Sequence, residues 1–227
     1  MINERFSYPA VERVTLASGN RYYVCPQSQK KLPSVTTILS KTSDKDFSAW
    51  EARVGITEAN RQRKYGTDLG SLVHTHMECH MLNEERPGGN NLIRVEAKRM
   101  ADTMIEKCMG GMDEVWGIET PLYMPELYAG TTDVVGIYNG KESIMDFKTA
   151  KKMRKREDVL DYRDQLAAYQ MAHNEKYGTN IVQGVIFMVA RDLEYQCYIY
   201  DQNEMVAGCN SFLSRVQSYY ESFVDFA

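Results

Sequence analysis

Cysteine is scarce in this sequence and poorly placed for a shared site. Cys25, Cys79, Cys108, Cys197 and Cys209 are 5 in 227 residues, an odd number, far apart and without C-x-x-C spacing. That argues against a disulfide framework, a zinc ribbon and an iron–sulfur cluster. Long apolar runs are missing as well. No stretch of about 18 uncharged apolar residues exists to span a bilayer, and the opening MINERFSYPAVERV lacks the apolar centre of a signal peptide. The expectation is a soluble cytoplasmic protein with no membrane partner. Positive charge is not in excess: 27 Lys and Arg face 31 Asp and Glu, for a net charge of −4. This balance excludes blanket attraction to polyanions but leaves room for a local basic groove. There is no internal repeat, low-complexity tract or linker. What is present is 43% apolar content, enough to bury a sizeable core in one domain.

Apolar residues alternate in VERVTL and RYYVC on either side of ASGN, which predicts a β-hairpin over about residues 11 to 25. Pro33 and Ser34 offer a helix start before VTTILSKT. Phe47, Trp50 and Val54 recur near helical spacing. They predict a helix from Asp44 to about Lys64, closed by the positive RQRK and interrupted at Tyr65-Gly66. Helical spacing resumes in DLGSLVHTHMECHML, ends at RPGGNN, and returns over about residues 91 to 109. Three strands follow, VWGIETPLYM, AGTTDVVGIYN and ESIMDFKTA, the last two joined by an Asn139-Gly140 turn. A helix from about Glu157 to Tyr177 stops at Gly178. The strands IVQGVIFMVAR and EYQCYIYD and an amphipathic helix over residues 203 to 225 complete the chain. This order predicts an α/β fold with a sheet covered by helices.

Three charged residues interrupt the apolar hairpin. Asp146 and Lys148 are two apart on a strand and so share a face, while Phe147 points to the other. Asp133 lies six residues before the Asn139-Gly140 turn and Asp146 six after it, which makes them cross-strand neighbours if the turn is tight. Two carboxylates a few Å apart repel unless a proton or a cation lies between them. The three side chains form either a structural salt bridge or a site for a hard divalent cation such as Mg²⁺, with Lys148 stabilising a phosphate.

Gly130-Thr131-Thr132-Asp133 followed by Asp146-Phe147-Lys148-Thr149 resembles the G-x-x-D and D-x-K motifs of the PD-(D/E)xK nuclease superfamily, in its RecB-like exonuclease branch. That branch has two further signatures. G-[T/S]-x-x-H-x-x-x-E is matched by Gly70-Ser71-Leu72-Val73-His74-Thr75-His76-Met77-Glu78, and Q-x-x-x-Y by Gln165-Leu166-Ala167-Ala168-Tyr169, both on predicted helices. The ordered motifs span residues 70 to 169. Pro33-Ser34-Val35-Thr36-Thr37-Ile38-Leu39 is similar to an N-terminal segment of the single-stranded-DNA exonucleases of this branch, of mitochondrial and phage type.

The resemblance implies a restriction-endonuclease-like α/β core, a central mixed β-sheet flanked by helices, over residues 66–227 of a single nuclease domain. Residues 1–65 would add a hairpin and helices that shape a DNA channel. It also implies a metal set of His74, Asp133, Asp146 and the main-chain carbonyl of Phe147, holding Mg²⁺ with Mn²⁺ as a substitute. Lys148 would assist the attacking water, and Glu119 would support the metal or Lys148. Gln165 and Tyr169, one turn apart on a helix, would reach the site together, Gln165 to a metal water or Lys148 and Tyr169 to a phosphate. His76 and His80 do not form H-E-x-x-H, because Glu78 lies two residues from each.

The basic run KTAKKMRKRE places Lys151, Lys152, Arg154 and Lys155 directly beyond the proposed centre, as either a solvated face or a patch for a phosphate backbone. RQRK would extend that patch, and Trp50, Tyr65 or Tyr162 would stack on bases of a single strand. The partner implied is DNA, single-stranded or with free ends. The activity implied is exonucleolytic hydrolysis in recombination, repair or phage DNA metabolism. An endonuclease on the same centre and a non-catalytic nucleic-acid-binding module are the alternatives.

Overall fold

The structure is a computed structural model that describes residues 2–16 and 21–223. Strands β1 (Arg13–Thr15), β2 (Arg21–Val24) and β3 (Lys31–Pro33) form a small antiparallel sheet. Helices α1 (Val35–Lys41), α2 (Ser48–Val54), α3 (Ile56–Leu82) and α4 (Leu92–Cys108) follow. The main sheet contains β4 (Met112–Met124), β5 (Tyr128–Tyr138), β6 (Lys141–Ala150), β7 (Gln183–Ala190) and β8 (Tyr195–Tyr200), in that spatial order. Only β6 and β7 run parallel. Their crossover is a 3₁₀ turn and α5 (Leu160–Tyr177), and α6 (Gln202–Phe223) closes the described chain.

Burial explains the layering. Every residue of QGVIFMVA in β7 is buried, as expected for a strand with helices on both faces. On one face α5 and α6 pack Leu166, Ala172 and Phe212 against Ile144, Ile186 and Met188. On the other, α3 and α4 pack Val73, Met77, Met100 and Met104 against Met145, Phe147 and Phe187. This is the mixed sheet flanked by helices that the sequence implies. Among the described residues no helix is long and apolar enough to cross a membrane.

Local signals place several boundaries. The Ser34 hydroxyl accepts from the Thr37 amide at 3.0 Å and caps α1. Asn139 and Gly140 have φ of 51° and 73°, and Tyr138 pairs with Lys141 across them, the tight turn expected of Asn-Gly. Gly178, at φ 62°, ends α5. The ASGN turn lies outside the described residues, as do the last residues of the helix expected to reach 225.

Three expectations are corrected. The helix from Asp44 to Lys64 is two helices that meet at Gly55, whose φ of 84° breaks the first. Tyr65-Gly66 interrupts nothing, because α3 runs unbroken for 27 residues. A helix-interior glycine costs about 1 kcal/mol, and the buried Ala59, Leu69, Val73 and Met77 on either side of Gly66 outweigh it. RQRK therefore lies within a helix and not at its C-terminus. Lys31–Pro33 is a strand, too short for periodicity to show.

Gly136 on β5 is a sensitive point, since a Cβ there would lie 2.0 Å from the Glu114 carbonyl oxygen, beside a register shift between β4 and β5. Gly136→Ala should lower unfolding free energy by about 3 kcal/mol, through overpacking against backbone. Gly140→Ala, with open space around it but positive φ, should cost about 1 kcal/mol. Urea denaturation of both variants checks the order.

Candidate active site

β5 and β6 pair regularly from the hairpin turn to Val134 opposite Met145, and there the ladder ends. Continuing that register would place Asp133 opposite Asp146, as the sequence predicts. Instead the strands part, and the Asp133 Oδ2 accepts from the Phe147 amide at 2.7 Å. On the other side β4 pairs through Ile118 with Val134 and through Thr120 with Thr132, so Glu119 stands beside Asp133 without joining the ladder. Glu119 has φ of 48°, an unusual value for a non-glycine strand residue. Three neighbouring strands thus bring Glu119, Asp133 and Asp146 together.

Helix α3 packs close to this opening. A Cβ on Gly70 would touch Thr149 Oγ1 at 3.4 Å, so the helix lies in van der Waals contact with β6. One turn on, His74 Nδ1 is 3.4 Å from Asp133 Oδ2. Its ring meets the Phe147 ring edge-on, with centroids 6.1 Å apart, while Phe147 stacks on Phe187 below. Lys148 Nζ is 2.5 Å from Asp146 Oδ2, and Gln165 Nε2 donates to Asp146 Oδ1 at 3.0 Å. Tyr169 is buried against Gly130, where a Cβ would come 2.8 Å from the phenol ring. His74, Glu119, Asp133, Asp146, Lys148, Gln165 and Tyr169 line one pocket of about 480 Å³.

The charges in this pocket are in tension. Burial, then the Asp133 charge, push the Asp146 carboxyl up to about 6. Glu119 is open to water at the mouth but crowded by protein on its other sides. Desolvation, then Asp133, push it up to about 7. Burial opposes charge on His74 as well, but the Asp133 carboxylate outweighs it and holds the imidazole up at about 9. Asp133 is held below its ordinary value, because His74 and Lys148 overcome its burial. Lys148 is likewise held above its ordinary value by Asp146 and Asp133 against its own burial.

A divalent cation fits this donor set. Oxygen or nitrogen atoms of His74, Glu119 and Asp133 lie within 4.8 Å of one another. Asp146 Oδ2 is buried without a hydrogen-bond partner: the Lys148 ammonium is near it, but off hydrogen-bond direction. Clustered carboxylates with raised proton affinity are relieved by a hard cation. Gln165 bonds Asp146 and not Lys148, one of its two expected partners. His76 is a buried side chain beside Arg86, and His80 is exposed.

A second, larger cleft of about 820 Å³ adjoins the pocket, and the two share Gly66 and Thr67. Lys151 and Arg154 line it; Lys152 and Lys155 are exposed outside it, with Lys155 3.9 Å from Glu157. Trp50 and Tyr65 line it too, each under an arginine: Arg63 sits 5.1 Å above the Trp50 ring and Arg191 4.7 Å above Tyr65. Tyr162 instead lies beneath Lys148, 5.0 Å from its ammonium. Sequence reasoning missed Arg191, Arg13, Arg21 and Tyr23 as lining residues. Arg191 follows β7 in a turn, and Arg13, Arg21 and Tyr23 lie on the expected hairpin, whose alternation does not tell which surface its face meets.

No family model matches the chain, and no curated protein matches it. Among solved structures, a candidate exonuclease from Eubacterium rectale is similar at 14% identity and a TM-score of 0.50, over 71% of this chain and 69% of that one. An alkaline exonuclease from Laribacter hongkongensis gives 12% identity and a TM-score of 0.33, over 70% of this chain and 94% of that one. The first likeness is one of fold, a mixed α/β sheet consistent with the restriction-endonuclease-like architecture.

The His74–Asp133 pair makes stability depend on pH. An imidazole raised in the folded state contributes stability in full below its unfolded value of about 6.5, and that contribution is lost as pH rises through about 9. Without added metal, the melting temperature of the wild type should fall between pH 6.5 and 9 relative to His74→Gln. Parallel melting curves across that range check the sign.

Proposed function

We propose that this chain is a Mg²⁺-dependent deoxyribonuclease that hydrolyses phosphodiester bonds from the ends of single-stranded DNA, with Mn²⁺ able to replace Mg²⁺. The observation that carries the reading is the trio of acids from three adjacent strands, joined by His74 and Lys148, in a pocket that opens into a basic, aromatic cleft. The fold likeness to a candidate exonuclease supports it. The order of the four motifs along the chain supports it as well.

His74, Asp133, Asp146 and the Phe147 carbonyl would hold the metal, with Glu119 at its edge. When bound, the ion supplies Lewis acidity at the phosphate and lowers the pKa of a water. The chain's own groups do the rest. Gln165 fixes one oxygen of Asp146 and leaves the other turned toward Lys148. Lys148, held between Asp146 and the Tyr162 ring, presents a positive charge where negative charge develops on the phosphoryl oxygens, and orients the attacking water. Tyr169 sits against Gly130 so that its hydroxyl faces the same pocket.

Lys151 and Arg154 would take the phosphate backbone in the adjoining cleft, with Lys152 and Lys155 at its rim, and Trp50 and Tyr65 offer faces to unpaired bases. Residues 1–65 would shape the DNA channel of a single nuclease domain. The setting proposed is the cytoplasm, in recombination, repair or phage DNA metabolism.

Wild-type protein should degrade end-labelled linear single strands with Mg²⁺, stop on addition of a chelator, and leave a closed single-stranded circle intact. Asp146→Ala should lower the rate at least 10³-fold, about 4 kcal/mol, and Lys148→Ala by about 10²- to 10³-fold. Cutting of the circle would replace the exonuclease reading with an endonuclease one. Full activity in Asp146→Ala would remove the proposed centre.

A further inference from the structure

One wall of the active pocket belongs to the small N-terminal sheet, and it carries two arginines. In the β1–β2 register Arg13 pairs with Tyr23 and Thr15 with Arg21. Paired residues of an antiparallel ladder point to the same side, as do residues two apart, so Arg13, Tyr23 and Arg21 share one face. Tyr23 fixes which way that face looks. It is buried, and its hydroxyl lies 3.2 Å from Thr131 Oγ1, two residues before Asp133 on β5. Both Arg13 and Arg21 line the pocket with His74, Asp133, Asp146 and Lys148.

Neither arginine is committed elsewhere. Among the described residues, neither guanidinium has an ion-pair partner within 4.0 Å or a side-chain hydrogen bond, although carboxylates are plentiful nearby. Most other arginines lining these clefts are paired, Arg61 with Glu58, Arg63 with Glu51 and Arg191 with Glu96. Arg21 is held by its backbone alone: its amide donates to Thr37 Oγ1 and its carbonyl accepts from Ser34 and Thr37. The strand is thus fixed to the N-terminus of α1 while both guanidiniums stay free for a ligand.

We propose that Arg13 and Arg21 form a phosphate clamp that grips the nucleic acid on the far side of the reacting phosphate from the Lys151–Arg154 cleft. This inference rests on the nuclease reading above. A strand leaving the cleft past Gly66 and Thr67 crosses the acidic centre and meets these two forks, which suit the geometry of phosphate oxygens. Two positive groups there also offset the repulsion between the acids and an approaching phosphate. The ligand is a nucleic-acid phosphate, either a terminal monoester or an internal diester.

The test measures binding of labelled single strands in Ca²⁺, with hydrolysis in Mg²⁺ scored separately, for wild type, Arg13→Ala/Arg21→Ala and Arg13→Lys/Arg21→Lys. The double alanine variant should bind at least 10-fold more weakly and lose about 1.4 from the slope of log affinity against log salt, at about 0.7 for each phosphate contact. Its hydrolysis should show a raised KM with kcat within about 2-fold, and lysine should restore part of the affinity. Circular dichroism checks folding, and the lysine variant serves the same comparison if alanine disturbs the sheet. A loss confined to 5′- or 3′-phosphorylated ends identifies a terminal phosphate; a loss also seen on 5′-hydroxyl strands and closed circles identifies an internal one. If wild type binds and cleaves while the alanine variant binds equally well with an unchanged salt slope, the clamp is wrong and the nuclease reading stands. If wild type neither binds nor cleaves, the nuclease reading fails, and the clamp fails with it.

Discussion

Asp133 takes part in neither of the ladders beside it, and the site is organised around that exclusion. Its carboxylate accepts the Phe147 amide, which on a regular strand would face a carbonyl of β5. That hydrogen bond holds β5 and β6 apart at the point where two acids would otherwise be forced face to face. Charge balance then draws in the neighbours. His74 approaches from α3 because a buried carboxylate needs a cationic or metal partner, and Lys148 does the same for Asp146. The charges offset one another in two pairs, His74 with Asp133 and Lys148 with Asp146.

The surrounding structure fixes this arrangement from several sides. Phe147, one residue from Asp146 and pointing the other way, sits in the α3–α4 core against Phe187. Gly130 gives Tyr169 room to lie on β5, and Gln165, one turn earlier on α5, reaches Asp146. Glu119 leaves the β4 ladder with a left-handed backbone, a local strain next to the same carboxylates. Helix α3 links the two cavities, because Gly66 and Thr67 border both and His74 lies two turns further along.

Much of this was legible from residue order. The Asn139-Gly140 turn fixed the register that brings Asp133 and Asp146 near each other, and the order of strands and helices announced a sheet covered by helices. The spacing of Gly70 and His74 placed them on one helix, where contact with Thr149 and Asp133 now explains both. Other features had no local signal. The continuity of α3 through Gly66 depends on burial of residues on either side, which propensity does not register. That Gln165 bonds Asp146, and that Glu119 turns out of its ladder, depend on contacts across 19 residues and across strands. The hairpin carrying Arg13 and Arg21 was legible from its alternation, but that its face meets the acidic pocket depends on contacts with β5, far along the chain.

The central claim is that the acids of β4, β5 and β6, gathered where Asp133 leaves both ladders, hold a divalent cation. Crystals of the protein grown with Mn²⁺, measured by anomalous scattering, test it most directly. The account predicts a peak roughly 2 to 2.5 Å from an Asp133 oxygen, with His74 and Asp146 around it and Lys148 turned toward solvent or phosphate. Density for Mn²⁺ only at surface carboxylates, with His74 still bound to Asp133 and the pocket unchanged, would contradict it.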